Sequence, residues 1–314
     1  MDTIVERIER EAGVEDLASL LAERLSPTDL QSLLLEVYRR RSARRKPADV
    51  LSDYESNRFV CPSSVSPGRL HSWEQTAFSA LPSEFEPLAL SPVCPLGTNS
   101  VIAGVDQNWA VTTARNTEVV SDATNVLALE CAVRRRRLLR ADARSTEPVH
   151  LAASHRVLRA QRFEDPDAVT HFHLIALCSA GRDVGNFDFE VSAFGRQVRF
   201  YLESLRALFG PSATLYLSVT DFSGRHAEAW LWDRLLSPAH LGFESVACTV
   251  DDSRASGKGY YRDLCFRVDA TNRHGERFNL VDGGSVDWTQ RLLSNAKERL
   301  FVSGIGGERL CSLF

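Results

Sequence analysis

An apolar strand pattern at the end of the chain leads into a cluster of glycines and then a single arginine. The segment reads FVSGIGGERL over residues 301–310. Glycines permit close backbone approach, and a helix that starts after them offers unpaired N–H groups to a phosphate. Far upstream, Arg159 ends a second strand pattern, and the chain returns through a polar loop to Phe172. Because arginine suits phosphate and an aromatic ring can stack on a base, the two segments together predict a nucleotide site.

The composition is that of a soluble globular protein. The chain has 314 residues, of which 44% are hydrophobic and 25% are charged, and its net charge is -4. This length suits one large domain with a small appendage. The net charge gives no overall attraction to nucleic acid, so tRNA binding would need a local basic patch. Two basic runs, over residues 39–46 and 134–140, keep that alternative open, although cations also favour helix C-termini.

Cysteine usage and hydropathy bear on the compartment and on metal binding. The seven cysteines are widely spread and form no C-x-x-C pair. This pattern indicates buried thiols in a reducing cytoplasm and disfavours a zinc site or a disulfide framework. No apolar stretch is long enough to span a membrane, and the N-terminus lacks the pattern of a signal peptide. We therefore expect a cytoplasmic protein with no membrane partner.

The N-terminal part predicts helices. The clearest begins after Ser26, which can act as N-cap, with Pro27 in the first turn. Its apolar stripe, from Leu30 to Tyr38, is expected to bury one face against the main body or a partner subunit. A polar connector with three prolines follows, over residues 46–69. We therefore expect a helical extension over residues 1–55 and one larger domain over residues 56–314.

The larger domain mixes strand and helix periods. Long helices are predicted over residues 125–137 and 187–209. Hairpin-like connections between the strands favour an antiparallel sheet flanked by helices, an α+β architecture. The predicted strands cover residues 85–93, pieces of 100–114, 157–161, 172–178, 213–219, 260–269 and 277–281.

At this point the chain resembles the catalytic domain of class II aminoacyl-tRNA synthetases, with the histidyl-tRNA synthetase branch closest. The second signature of that family is an arginine, a glutamate two residues on, a loop and a phenylalanine, and Arg159, Gln161 and Phe172 stand at these places. The third signature is a glycine-rich strand end with a helix-starting arginine, matched by residues 304–310. A helix over residues 70–80 followed by residues 85–92 is similar to the first signature. Residues 257–266 and 282–287 resemble two segments of the histidyl branch.

The resemblance implies a homodimer that binds ATP and Mg²⁺ and activates a carboxylate or amino acid as an acyl-adenylate. It implies catalytic roles for Arg159 on the α-phosphate and Arg309 on the distal phosphates. Glu190 stands where the family places an acidic residue that helps to hold magnesium. The further residues implied are Gln161, Phe172, Gly304 and Gly306 for ATP, and Glu130, Lys258, Tyr260, Tyr261, Asp282 and Asp287 for the substrate.

Several of these residues have simpler interpretations. Tyr260 and Tyr261 are expected on opposite faces of a strand, so that only one faces a pocket. Asp282 and Asp287 are expected to flank a glycine turn. Glu130 could bind a substrate ammonium or be a solvated helical glutamate. Lys258 and the neighbouring Arg254 are expected to be exposed, and either could replace a positive charge that the family has at Ser256.

Departures from the family pattern keep the function open. Gln161 replaces a glutamate, the loop before Phe172 lacks a clear basic residue, and Ser256, Ser285 and Val286 replace residues that read histidine in the family. Histidine is therefore not the expected substrate, and we expect no anticodon-binding domain after residue 314. The leading hypothesis is an adenylate-forming ligase with a non-tRNA acceptor. The alternatives are a non-catalytic regulatory or binding subunit and a tRNA-binding protein.

Overall fold

The computed structural model describes residues 3–161, 169–211, 213–237 and 245–314. Two sheets lie within these ranges, one of eight strands and one of two. Their strands are β1 (Glu86–Pro87), β2 (Val93–Pro95), β3 (Thr117–Val119), β4 (Val149–Leu158), β5 (His171–Arg182), β6 (Leu215–Asp221), β7 (Ala247–Val250), β8 (Leu264–Thr271), β9 (Arg277–Val286) and β10 (Glu298–Gly306).

Helices flank the large sheet and form the N-terminal extension. No helix among the described residues is long and apolar enough to cross a membrane. The α-helices of the described ranges are α1 (Ile4–Ala12), α2 (Leu17–Ser19), α3 (Pro27–Ser42), α4 (Pro47–Ser56), α5 (Pro67–Ser79), α6 (Ala123–Ala141), α7 (Asp188–Phe209), α8 (Glu228–Leu231), α9 (Trp288–Leu293) and α10 (Gly307–Leu313).

The large sheet has the strand order β1-β4-β5-β10-β9-β8-β6-β7. Its six central strands pair antiparallel, as expected, whereas β1 pairs with β4 and β7 pairs with β6 in parallel. The sheet is therefore mixed at its edges. The predicted α+β architecture of an antiparallel sheet flanked by helices is confirmed for the centre of the molecule.

Two apolar layers cover the two faces of the sheet. On one face α5, α7 and α10 pack around Phe266 and Phe301, whose rings stack with 6.1 Å between centroids. On the other face α6 packs through Leu127 and Cys131, and α9 packs through Trp288. The large sheet is thus buried on both sides, and its strand ends and the loops beyond them are left to form clefts.

The helix predicted after Ser26 is present as α3. Ser26 accepts a hydrogen bond from the backbone N–H of Asp29 at 3.1 Å, so it caps the helix as expected. The predicted burial of the apolar stripe against the main body is wrong, since Leu33, Val37 and Tyr38 are exposed and no described residue before Leu70 is buried. Burial against a partner subunit stays a prediction. Helices α1 to α4 make few contacts with the rest of the chain, so little of this face is covered.

Two strand predictions in this part of the chain differ from the structure. Residues 98–102 form a π-helical turn and residues 107–109 a 3-10 turn, where strand pieces were expected. The strand predicted over residues 85–93 is reduced to β1 and the first residue of β2. In these segments polar side chains bond the backbone locally: the Asp106 carboxylate accepts from the Asn108 N–H at 3.0 Å. Such bonds compete with strand pairing.

The segment expected to be a glycine turn, Asp282 to Asp287, lies in β9 as far as Val286. Its glycines serve close packing: a Cβ on Gly283 would come within 2.5 Å of both the Phe266 ring and Cβ of Ser303. A Cβ on Gly284 would come within 2.6 Å of the Leu264 carbonyl oxygen. Glycine is therefore needed here because neighbouring strands and side chains approach too closely for a side chain.

Candidate functional site

A cleft of about 330 Å³ opens between the N-terminus of α6, the end of β4, and strands β9 and β10. We call it the Arg159 cleft. It brings together six of the residues that the sequence predicted for a site. These are Arg159, Gln161, Tyr260, Tyr261, Asp282 and Gly304.

Arg159 is held from three sides. Its Nη2 lies 3.1 Å from a carboxylate oxygen of Asp122, and its Nε donates to the Ser121 carbonyl at 3.2 Å. The guanidinium also lies 5.0 Å from the centroid of the Phe172 ring. The ring that the resemblance assigns to a nucleotide base is therefore in a cation–π contact with Arg159.

The partner of Arg159 was not found from the sequence. Asp122 is the N-cap of α6, where one carboxylate oxygen accepts from the Thr124 N–H at 2.9 Å and the other faces Arg159. The pattern of aspartate before a helix predicts the cap but not the pair. The contact joins residues 37 positions apart, and no local pattern indicates it.

A buried polar network supports this side of the cleft. The Asn99 side-chain oxygen accepts hydrogen bonds from Ser121 at 2.6 Å and from Asn125 at 2.8 Å. The Asn99 amide donates to Glu118, which is fully buried. Such a connected network fixes the position of its members. Ser121 and Asn125 line the cleft, so its floor is polar and rigid.

The two tyrosines do not lie on a strand. They follow a turn in which Gly257 and Gly259 have φ angles of 87° and 88°, which favour glycine, and β8 begins only at Leu264. The predicted alternation is therefore wrong, and both Tyr260 and Tyr261 line the cleft. Their rings meet edge to face with 5.0 Å between centroids, a favourable arrangement for aromatic pairs.

Asp282 is paired with Arg254. The two carboxylate oxygens lie 2.9 and 2.8 Å from Nη2 of the arginine. Arg254 is buried, in contrast to the exposed loop residue that the sequence suggested, whereas Lys258 is exposed as expected. Because Arg254 is buried, removal of the Asp282 carboxylate would leave its charge uncompensated.

The third-signature residues lie apart from the cleft, except for Gly304. Arg309 stands in the first turn of α10, as predicted, but it is exposed and does not line the cleft. The neighbouring Glu308 is buried, where it accepts from the His173 N–H at 2.6 Å and pairs with Arg156 at 3.0 Å. Gly306 faces the Phe172 ring, and a Cβ there would make only an ordinary contact at 3.7 Å.

Glu190 and Asp287 lie in a different cavity. This cavity, of about 650 Å³, is formed at the opposite end of β5, β9 and β10, and we call it the Glu190 cavity. Glu190 is only 4% exposed and lies 3.1 Å from Nε of Arg299. Burial raises the pKa of its carboxyl above the usual range. Glu130 lines neither cavity and pairs with Arg134 at 2.8 Å on the surface of α6.

The described charges of the Arg159 cleft bear on the expected MgATP site, which stays a prediction. The cleft contains the guanidinium of Arg159, but Asp122 and Asp282 also line it, so its described charges give no excess of cations for a triphosphate. Within the described ranges no group of three or more histidine, cysteine, aspartate or glutamate residues could hold a metal ion. The loop over residues 162–168, on which the expectation about basic residues falls, lies outside the described residues.

The basic runs proposed for tRNA are ion-paired in part. Arg39 and Arg40 both bond Glu36, each at 2.7 Å. In the second run Arg135 is fully buried against Glu298, and Arg134 binds Glu86 and Glu130. Paired arginines of this kind offer less charge to a phosphate backbone than the bare sequence runs indicate.

Comparisons with known proteins were made at the level of sequence and structure. No protein-family model and no curated protein sequence matches this chain. Among solved structures, an ATP phosphoribosyltransferase regulatory subunit/histidyl-tRNA synthetase from Bacillus halodurans superposes with a TM-score of 0.59 at 13% identity, over 86% of this chain and 83% of that one.

Two further solved structures also superpose on this chain. The apo histidyl-tRNA synthetase of S. aureus gives a TM-score of 0.55 at 12% identity, over 80% of this chain and 67% of that one. A histidine–tRNA ligase subunit from Alicyclobacillus acidocaldarius gives 0.55 at 13% identity, over 80% and 95%. With identities this low the likeness establishes the fold alone. The chain therefore has a class II synthetase-like fold, similar to that of histidyl-tRNA synthetase and of the regulatory subunit that shares its architecture.

Proposed function

We propose that this chain is a non-catalytic class II synthetase-like protein that binds a small polar molecule in the Arg159 cleft and acts as a regulatory or binding subunit. The observation that carries the proposal is the position of Arg159. Its guanidinium is neutralised by Asp122 and lies over the Phe172 ring, where the resemblance would place a base. An arginine already paired in this way is less able to stabilise charge on a phosphate.

The dispersal of the other expected catalytic residues supports the same conclusion. Arg309 is exposed away from the cleft, and Glu190 pairs with Arg299 at the other end of the sheet. Electrostatic catalysis of acyl-adenylate formation needs these groups around one phosphate chain. A small ligand with balanced charges or neutral polar groups suits the described lining better, since the cleft offers both carboxylates and an arginine along with tyrosine rings.

The structural comparison is compatible with this role. One of the similar structures is, by its name, an ATP phosphoribosyltransferase regulatory subunit/histidyl-tRNA synthetase. We therefore include in the proposal that this chain acts together with a partner enzyme. We also propose a homodimer, as the resemblance implies, and a cytoplasmic location, for which the seven free cysteines are support.

Adenylation of a carboxylate with ATP and Mg²⁺ is the second candidate. It is favoured by one observation, the convergence of Arg159, Gln161 and Gly304 on a single cleft. These residues come from the second and third signatures, which hold the nucleotide in the family that the chain resembles. For this second function, the Arg159 guanidinium would have to leave the Asp122 carboxylate and bind a phosphate instead.

Calorimetric titration with MgATP separates the two candidates. The proposal predicts no saturable binding by the unaltered protein. Asp122→Asn keeps the helix cap but removes the negative charge beside Arg159, so it should raise the affinity for the triphosphate. Tight MgATP binding by the unaltered protein, lost in Arg159→Gln but kept in the surface control Arg199→Gln, would instead support the ligase.

A further inference from the structure

The Glu190 cavity is separate from the Arg159 cleft. At one end of the β4–β5–β10 array Leu158 pairs with His171, close to Arg159, whereas at the other end Arg182 pairs with Glu298. The Glu190 cavity lies at this second end and shares no lining residue with the cleft. Its volume of about 650 Å³ is within the range of small-molecule sites.

The floor of the cavity holds two carboxylates, those of Asp183 and Glu190. Arg299 is shared by two carboxylates, with Nη2 at 2.8 Å from Asp183 and Nε at 3.1 Å from Glu190. Its Nη1 donates hydrogen bonds to the carbonyl oxygens of Ala296 and Glu298, both at 2.9 Å. Arg299 therefore serves both acids, and Lys297 adds its Nζ at 3.4 Å from Asp183, whereas the ion pair of the buried Glu190 is with Arg299. A buried carboxylate in this position favours a cationic ligand group.

The mouth of the cavity has available cationic donors. Arg225 pairs with Asp263 and Arg262 pairs with Asp287, each through a single terminal nitrogen. Both arginine side chains are 58% exposed. Because a guanidinium has five N–H donors, each arginine keeps donors that can reach a carboxylate at the mouth.

The wall between floor and mouth is held in one conformation. Gly185, Asn186 and Phe187 have φ angles of 92°, 51° and 57°, and α7 begins directly after them. The Phe187 ring meets the ring of His226 edge to face at 4.3 Å between centroids. Arg225 also lies over the Phe187 ring, at 5.1 Å from its centroid. A wall fixed by such contacts lowers the cost of ordering the site when a ligand binds.

We propose that the Glu190 cavity is a second small-molecule site whose ligand is a zwitterion, with an ammonium group and a carboxylate, such as a free amino acid. The ammonium group lies at the floor against Glu190 and Asp183, and completes their charge. The carboxylate lies at the mouth against Arg225 and Arg262. Seven charged residues line the cavity, the acids Asp183, Glu190, Asp263 and Asp287 and the arginines Arg225, Arg262 and Arg299. Lys297 lies beside this set, with Nζ 3.4 Å from Asp183, so the charges balance, which suits a zwitterion that has no net charge itself.

The test is calorimetric titration of the whole protein with each of the standard amino acids at neutral pH. For any that binds, the amine without the carboxylate and the N-acetylated acid are titrated as matched probes. We expect at least one amino acid to bind saturably and both probes to bind at least about tenfold more weakly, a loss of about 1.4 kcal/mol. Failure of every amino acid to bind, or an amine that binds as tightly as its amino acid, would overturn the proposal.

Variants then locate the site. Glu190→Gln and Arg262→Gln should each weaken binding at least about tenfold, and Arg262, which is exposed, keeps the test valid if the buried variant folds poorly. Gln161→Ala, in the Arg159 cleft, should leave this affinity unchanged. Loss of binding in Gln161→Ala with none in Glu190→Gln and Arg262→Gln would place the ligand in the cleft, which contradicts this proposal but not the proposed function.

Discussion

At the scale of single residues, Arg135 and Glu298 form an ion pair in which both side chains are fully buried. Nε and Nη2 of the arginine lie 2.8 and 2.9 Å from the two carboxylate oxygens. Two further donors bond the carbonyl oxygens of Ser145 and Glu147. The pair ties α6 to the start of β10, the strand that contributes Gly304 to the cleft.

Removal of one charge of this pair is expected to destabilise the protein strongly. Glu298→Gln leaves the Arg135 cation buried without a counter-charge, so the free energy of unfolding should fall by about 3–5 kcal/mol. Urea unfolding measures this free energy. Arg136→Gln is the matched control, because Arg136 is exposed next to Arg135 and should change stability by less than about 0.5 kcal/mol. Equal effects of the two variants would contradict the structural role of the pair.

His150 is expected to contribute a pH dependence. Burial, with the nearby Arg196, lowers the pKa of the imidazole to about 4 from 6.5, and Nδ1 lies 2.9 Å from the Ser179 hydroxyl. Between these two pH values the unfolded chain binds a proton that the folded chain does not. Stability should therefore fall as the pH is lowered from 6.5 to 4, with a total contribution of about 3 kcal/mol.

The measurement is the free energy of unfolding against pH for the unaltered protein and His150→Gln. The variant should lose less stability than the unaltered protein between pH 6.5 and 4, since its side chain does not titrate. The other histidines with lowered pKa, His155 and His173, are common to both proteins and cancel in the difference. Parallel pH curves would show that His150 binds its proton equally well in the folded state.

At the scale of elements, β9 shows what a sequence pattern leaves undecided. Two adjacent glycines between aspartates are typical of a turn, and the close approach of Phe266 that requires Gly283 comes from a neighbouring strand. Long helices were predicted better, because α7 has an unbroken apolar face in its own sequence. Periodicity within one element is visible in a sequence, whereas contacts between elements are not.

The position of Gly283 in a packed strand predicts the sign of an alanine substitution. In Gly283→Ala the new Cβ would meet two side-chain atoms at 2.5 Å and the Val302 carbonyl oxygen at 2.8 Å. Such overpacking typically costs about 1–3 kcal/mol. Gly195, in the middle of α7, has no atom within 4 Å of an added Cβ, so Gly195→Ala should stabilise by about 0.5–1 kcal/mol. Thermal unfolding of both variants should give melting shifts of opposite sign.

The N-terminal helices form the least buried part of the described chain. Twelve of the 20 large hydrophobic residues that are exposed lie between Ile4 and Val60. Removal of residues 1–56 should therefore change the free energy of unfolding of the remainder by less than about 2 kcal/mol, since little apolar area is lost from contact. Urea unfolding of the truncated chain checks this. A much larger loss would show that the predicted boundary near residue 55 cuts through a single folding unit.

At the scale of the whole molecule, the fold could be predicted and the site only in part. The hairpin-like strand connections predicted the α+β class, the order of the three signatures indicated a synthetase-like fold, and the structural comparisons agree with both. Arg159, Gln161 and Gly304 meet in one cleft, as their signatures suggest. The partner of Arg159, Asp122, was missed, since an N-cap aspartate gives no sign in the sequence of a contact made across the fold.

The proposal of binding and not catalysis depends on how the charged side chains of the site are paired. In the Arg159 cleft the arginine is neutralised by Asp122, and the exposed Arg309 and the distant Glu190 are not beside it. A synthetase-like fold is thus retained while the cationic groups that stabilise adenylate formation are dispersed or paired. We propose that this chain binds a ligand and does not activate one.

The most direct test is ATP–pyrophosphate exchange by the purified protein with Mg²⁺, across a panel of amino acids and other carboxylic acids. A histidyl-tRNA synthetase assayed with histidine serves as positive control. The account predicts no exchange above the background of a protein-free sample for any carboxylate in the panel. Exchange that depends on one carboxylate, and that falls by at least about a hundredfold in Arg159→Gln, would contradict it and establish the adenylate-forming ligase.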